Sequence, residues 1–235
     1  MRLQVFLSRN GVCSRRNAFD LVQNGSVSVN GRRILEPSFV VDPAIDKISV
    51  DGRVVDVKSY EYILLNKPQG YVTTNFDPHV EKTVYECLPQ KFQHLSFVGR
   101  LDQDTEGLLL FTNDGDLTQK LTHPSFLVDK RYFVRVVGVL TKEKQTTIET
   151  GVVFEGQKTS PAKIENVKIF EGQTECFITI HEGRKRQVRF MFGELDLKVV
   201  YLKRVAQGPL VLGDLKVGEW RSLSDGEVKL LKNNK

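Results

Sequence analysis

Four consecutive apolar residues, Leu108 to Phe111, run almost directly into the turn sequence Asn113-Asp114-Gly115. A run this short, bounded by a turn, reads as a buried strand that stops abruptly. Ahead of it lies a loop dense in charge, with Arg100, Asp102, Asp104 and Glu106. Gly99 and Gly107 bracket that loop and permit backbone paths that a Cβ would forbid. A polar loop anchored on a rigid buried strand is a common seat of catalytic groups. The alternative is a charged surface loop joining two strands. Of Asp102 and Asp104, one carboxylate can face a pocket while the other caps or solvates. A single carboxylate suits covalent or charge-stabilising chemistry better than the paired acids of a glycosidase.

A chain of 235 residues predicts one large or two modest domains, and its 40% hydrophobic content suffices for a true core. With 34 basic against 29 acidic residues the net charge is +5 and the pI about 9.0, which admits a nucleic-acid partner. The three cysteines, Cys13, Cys87 and Cys176, are far apart and odd in number. They offer neither a disulfide framework nor a metal spacing, so a reducing, cytoplasmic setting is expected. His79 has no ligand-like partner nearby, and no metal is expected. No apolar stretch is long enough for a signal peptide or a membrane span.

The basic charge is concentrated at the start. Residues 1–33 carry Arg2, Arg9, Arg15, Arg16, Arg32 and Arg33 against Asp20 alone. Leu3, Phe6 and Leu7 have helical spacing, ended at Asn10-Gly11. Ser14 is an N-cap for a second helix with Ala18, Phe19, Leu21 and Val22 on its apolar side, stopped by Gly25. Two hairpins follow, turning at Asn30-Gly31 and Asp51-Gly52. Arg15 and Arg16 fit either a solvated helix face or phosphate contacts near a helix N-terminus.

After a short linker at Lys58-Ser59, YEYILLNKPQGYVTT reads as two strands about a turn at Lys67 to Gly70. Short helices are expected over 83–88 and 116–121. KRYFVRVVGVL alternates, with Tyr132, Val134 and Val136 on one face and Phe133, Arg135 and Val137 on the other. Tyr132 fits a core aromatic as well as a site residue. TKEKQTTIETGV is a helix ending at Gly151, and strands follow at PAKIENVKIF and ECFITIHEG. In the next segment Arg184, Lys185, Arg186 and Arg189 face Glu182 alone. Val188 and Met191 have helical spacing, which buries one side of this helix and displays the basic one. The alternative is a solvated basic helix start.

These motifs carry a resemblance. GRLDQDTEGLLLFTNDG resembles the catalytic segment of the RsuA-type ribosomal RNA pseudouridine synthases, in which the aspartate of G-R-L-D is essential. LNKPQGYV, KRYFV, EGRKRQVRFMF and the C-terminal LKR, GPL and GEWR phrases resemble further stretches of that family in the same order. GVCSRRNAFDLVQNGSVSVNGRRI resembles the small RNA-binding domain named after ribosomal protein S-four. Phe190, Asp196-Leu197 and Gln207 depart from the family's usual arginine, Gly-His and aliphatic residue.

The resemblance implies an α+β chain: an S-four-type domain over residues 1–58, then a catalytic domain over 62–235 built on a largely antiparallel mixed sheet. It implies isomerisation of uridine to pseudouridine without a cofactor. Asp102 would be the catalytic aspartate, Tyr132 would stack on the base, and Arg189 would pair with Asp102. Arg2, Arg15, Arg16, Arg32, Arg33, Lys67, Arg100, Arg184, Lys185, Arg186, Lys203 and Arg204 would contact RNA. The partner would be ribosomal RNA or a ribosomal subunit assembly intermediate, met by a monomer in the cytoplasm. The rival reading is a non-catalytic RNA-binding assembly factor on the same fold, or a glycosidase-like enzyme using Asp102 with Asp104 or Glu106.

Overall fold

The computed structural model describes residues 1–75 and 77–233. The chain divides into two units, Met1–Glu61 with Asn113–Gly115, and Tyr62–Thr112 with Asp116–Lys235.

In the first unit, helices α1 (Leu3–Arg9) and α2 (Arg15–Gln23) precede strands β1 (Val27–Val29), β2 (Arg32–Arg33), β3 (Ile48–Val50) and β4 (Arg53–Val54). The Ser14 hydroxyl accepts from the Asn17 N–H, so the predicted cap is formed. The strands pair antiparallel in the order β2-β1-β3-β4. The two turns have φ of 51° at Asn30 and 47° at Asp51, the left-handed start a two-residue hairpin needs. Leu3, Phe6, Leu7, Ala18, Val22, Val27 and Ile48 form the core. Phe19, expected inside, is exposed: the short helix has room for only one buried stripe, and Ala18 and Val22 fill it.

The second unit is built on β5 (Tyr62–Lys67), β6 (Ser96–Val98), β7 (Glu106–Thr112), α3 (Gly115–Thr122), β8 (Lys130–Val137), α4 (Lys142–Thr150), the short β9 (Val153–Phe154) and β10 (Gln157–Lys158), β11 (Lys163–Phe170), β12 (Gln173–Ile180), α5 (Gln187–Gly193), β13 (Lys198–Gln207), β14 (Leu210–Val211), β15 (Trp220–Ser222) and α6 (Asp225–Asn233). The sheet runs β11-β12-β8-β13-β7-β5-β15, with β14 on β13 and β6 on β7. All its pairs are antiparallel except β13 with β7, which makes it mixed and largely antiparallel.

Every residue of β7 is buried. Leu109 and Phe111 join the core on one face of the sheet, and Leu108 and Leu110 the core on the other. A strand covered on both sides reads as an unbroken apolar run, which is why this one dominates the sequence. β8 alternates as predicted, with Tyr132, Val134 and Val136 inside. The strand expected after Gly70 does not form. The chain there makes an isolated bridge, Val72 to Thr83: Val72 bonds to Lys82 and Val84, while the Gly70 N–H and the Thr73 hydroxyl bond to the 99–105 loop.

Candidate active site

Gly107, the second residue of β7, has φ +112°. A Cβ there would lie 2.2 Å from the Arg204 carbonyl oxygen, so only glycine lets β7 and β13 approach this closely. That approach sets the start of β7, just after the 99–105 loop, beside Lys203 and Arg204 of β13.

The loop is a turn, not an extended strand: the Thr105 N–H donates to the Asp102 carbonyl at 3.0 Å. Three residues of the 67–73 segment pin it. The Thr73 hydroxyl donates to the Leu101 carbonyl at 2.8 Å and accepts from the Leu101 N–H. Gly70 exchanges two hydrogen bonds with Gln103, backbone to backbone at 2.8 Å and side chain to backbone at 3.1 Å. Lys67 is 0% exposed and its ammonium donates to the carbonyls of Pro68, Thr105 and Gln103 at 2.9, 2.9 and 3.3 Å. Burial pushes its pKa down to about 8 against the pull of surrounding acids, Asp104 and Asp102 among them. The expected RNA contact by Lys67 is therefore corrected: an ammonium bonded to three carbonyls and sealed from solvent cannot reach a phosphate.

The turn separates the two aspartates. Asp102 lines a cavity of about 460 Å³ with Tyr132, and no hydrogen bond or ion pair holds its carboxylate among the described residues. Asp104 turns toward α5. Both of its oxygens accept from Arg186, at 3.1 and 3.0 Å, and Arg189 Nε lies 3.2 Å from Oδ2. Burial would raise the Asp104 carboxyl, but the Arg186 bonds and the two guanidinium charges outweigh it and hold it below the usual carboxylate range. Arg189 also donates to the Asp104 carbonyl at 2.8 Å and to the Val199 carbonyl at 3.2 Å. The expected Arg189–Asp102 pair is thus replaced by Arg189–Asp104. The turn presents Asp104, not Asp102, to the helix.

Tyr132 is both of the things the sequence allowed. It is 8% exposed, belongs to the main core and lines the cavity beside Asp102. Cross-strand pairing sets its neighbours: Arg204 lies opposite Tyr132, and Gln207 opposite Lys130, across a bulge in β13. Direct partners share a face, so these four side chains line one patch of the cavity floor.

The remaining basic residues divide sharply. Arg100 and Lys185 are exposed at the cavity rim, without a hydrogen bond or ion pair among the described residues. Arg184 is turned inward onto the carbonyls of Phe154, Gln157 and Lys158, anchoring β9 and β10, and is corrected as an RNA contact. Arg186 is exposed at the cavity and donates twice to the Asp104 carboxylate. α5 starts only at Gln187, so Arg184, Lys185 and Arg186 belong to the loop before it. Lys203 pairs with Glu106 at 2.9 Å, and Tyr201 donates to the same carboxylate. Lys203 pairs with Phe133 across the strands and so occupies the sheet face opposite the cavity. Arg204 is 2% exposed, too deep for a backbone phosphate.

In the first unit Arg2, Arg15, Arg16 and Arg32 are exposed. Arg33 donates to the Asn24 carbonyl at the end of α2. Among the described residues no group of three or more His, Cys, Asp or Glu is placed to hold a metal ion, and no helix is long and apolar enough to cross a membrane.

The family model for RNA pseudouridylate synthase matches residues 61–194, and that for the S4 domain matches residues 1–44. Ribosomal large subunit pseudouridine synthase B of Bacillus subtilis (strain 168) is 40% identical over 233 residues, covering 98% of this chain and 95% of that protein. An uncharacterized RNA pseudouridine synthase of Aquifex aeolicus (strain VF5) is 38% identical over 232 residues, with 98% and 93% covered. A crystal structure of a pseudouridylate synthase aligns with a TM-score of 0.70 at 31% identity, covering 98% of this chain and 99% of that one.

Proposed function

The chain belongs to the RNA pseudouridylate synthases, enzymes that isomerise uridine to pseudouridine in RNA, and we propose that its substrate is ribosomal RNA and Asp102 its catalytic carboxylate. The observation that carries the assignment of Asp102 is its position. It is the one aspartate of the loop that faces the cavity with its carboxylate uncommitted, whereas Asp104 is bonded to two arginines. A cavity of about 460 Å³ is of the size that admits one nucleotide unit, which must leave its stack to enter.

In the reaction the N1–C1′ bond breaks, the base turns, C5 bonds to C1′, the proton at C5 passes to solvent and N1 takes one up, so that the product is an isomer. The aromatic face of Tyr132 is the platform for the base. Arg100 and Lys185 at the rim take the flanking phosphates, and the exposed arginines of the first unit take phosphates of the surrounding RNA. The relative from Bacillus subtilis is named for the large ribosomal subunit, so large-subunit RNA is the first substrate to try. The enzyme acts in the cytoplasm as a monomer, on free RNA or on an assembling subunit.

Ribosomal RNA carrying tritium at C5 of uridine tests this reading. A synthase releases the label while the nucleotide stays in the chain. A non-catalytic assembly factor releases none, and a glycosidase leaves an abasic site and free uracil. Absence of release from both subunits' RNA overturns the proposal.

A further inference from the structure

Two buried polar atoms on the cavity floor have no hydrogen-bond partner among the described residues: Arg204 Nη2 and Gln207 Oε1. Both residues are 2% exposed. Leaving such atoms unpaired is costly, so their lack of a partner beside a cavity calls for a ligand group to satisfy them. Their orientations are set by what the rest of each side chain does. Arg204 Nε donates to the Leu108 carbonyl at 2.8 Å, and Gln207 Nε2 donates to the Leu121 carbonyl at 3.3 Å. A flipped Gln207 amide would press oxygen against the Leu121 carbonyl, so the unpartnered atom of this lining residue is Oε1. A guanidinium can only donate, and this amide oxygen can only accept.

We propose that Arg204 and Gln207 are the specificity residues that read the edge of the target base, with Gln207 Oε1 accepting from uracil N3–H and Arg204 Nη2 donating to the adjacent ring carbonyl. The inference rests on the cavity being the uridine site. The base lying against Tyr132 brings its edge to these two residues, since Arg204 is Tyr132's cross-strand partner and Gln207 follows across the bulge. Uracil presents a donor flanked by carbonyl acceptors. Cytosine presents an acceptor at N3, which would face Oε1 acceptor to acceptor, and its amino group would face a guanidinium donor to donor. A phosphate diester has no hydrogen for Gln207 Oε1, and Arg204 lies too deep for one. The floor therefore favours a neutral base over an anion, and uracil over cytosine. Arg204 and Gln207 touch the non-reacting edge of the base and hold it in place; the chemistry remains with Asp102.

The test begins by locating the nucleotide that the wild-type protein converts in ribosomal RNA. Splint-ligated copies then carry uridine or 3-methyluridine at that position, and single-turnover conversion is read by nucleoside analysis of the digest. A methyl at N3 removes the donor and leaves C5 and both carbonyls in place. Wild type should convert 3-methyluridine about a hundredfold or more slowly than uridine. Gln207→Ala should slow uridine by about tenfold and shrink the methyl penalty below about tenfold, because the bond and the obstructing side chain are both gone. Gln207→Met keeps the volume and serves in its place if the alanine variant loses its cooperative melting. It should slow uridine to a similar extent. A methyl penalty equal in wild type and Gln207→Ala, with wild type active on uridine, overturns the edge-reading role and leaves the synthase reading standing. No conversion of uridine by wild type overturns both.

Discussion

Arg189 is bonded to Asp104 and not to Asp102. Its Nη2 donates to the Asp104 carbonyl at 2.8 Å and its Nε lies 3.2 Å from the Asp104 carboxylate, while Arg186 grips the same carboxylate from the other side. Asp104 therefore ties the loop that carries Asp102 to α5. The Asp102 carboxylate is left to the cavity, with the Arg189 charge nearby but not in contact. Two aspartates two residues apart thus have different surroundings: one lines the cavity, and the other is held by two arginines.

Asp102→Asn should leave the melting temperature and RNA affinity close to wild type and remove isomerisation by several orders of magnitude, each tenfold being about 1.4 kcal/mol of barrier. Tritium release by the purified variant within tenfold of wild type would reject Asp102 as the catalytic carboxylate.

Asp104→Asn should be milder in rate and visible in stability. The Asp104 carboxyl titrates lower when folded than its ordinary value of 3.8, so its contribution is present above that pH and is lost as pH falls through the lower folded value. Thermal melts of wild type should converge on those of Asp104→Asn below pH 3.8 and exceed them near neutrality. Because the group is half exposed, the gap should narrow in high salt. Melting curves that stay parallel across this range would show that Asp104 is not a tie.

Lys67 gives the loop an alkaline signature. Its pKa is about 8 folded against 10.5 unperturbed, so between these values the unfolded chain holds the extra proton and folding stability rises with pH. Wild type should gain stability over that window relative to Lys67→Met. Activity should fall over the same rise, since a neutral amine has two hydrogens for three carbonyls. Lys67→Met should also cost about 1–3 kcal/mol for each carbonyl left buried and unpaired. A flat activity profile between pH 8 and 10 with wild-type melting of the variant would remove Lys67 from this role.

Gly107→Ala tests the close approach of β7 and β13. Its Cβ would meet the Arg204 carbonyl at 2.2 Å, and the backbone at φ +112° disfavours any side chain. The variant should lose several degrees of melting temperature and much of its activity, because displacing Arg204 disturbs the cavity floor. Unchanged melting would mean that the strands can part without cost.

Arg15→Ala with Arg16→Ala should weaken RNA binding and leave the saturated single-turnover rate intact. If each contacts a phosphate, the slope of log affinity against log salt should become shallower by about two. An unchanged slope would make these arginines a solvated face.

Local chemistry alone determined much of this protein. The Ser14 cap, the Asn30-Gly31 and Asp51-Gly52 turns, the alternation of β8 and the buried run of β7 depend on neighbours within a few residues, and each was legible for that reason. Motif order put Asp102 and Tyr132 together, and both line one cavity. What each long cation does was not legible. Lys67, Arg184, Arg186, Lys203 and Arg204 read identically as basic residues, yet they end on loop carbonyls, a β-hairpin, a carboxylate, the opposite sheet face and the cavity floor. Their partners lie tens of residues away, and a flexible charged side chain takes whichever acceptor the fold brings to it. The choice between Asp102 and Asp104 for Arg189 has the same origin. It hangs on one turn whose direction is set by Lys67, Gly70 and Thr73, a segment brought alongside only when β5 pairs with β7.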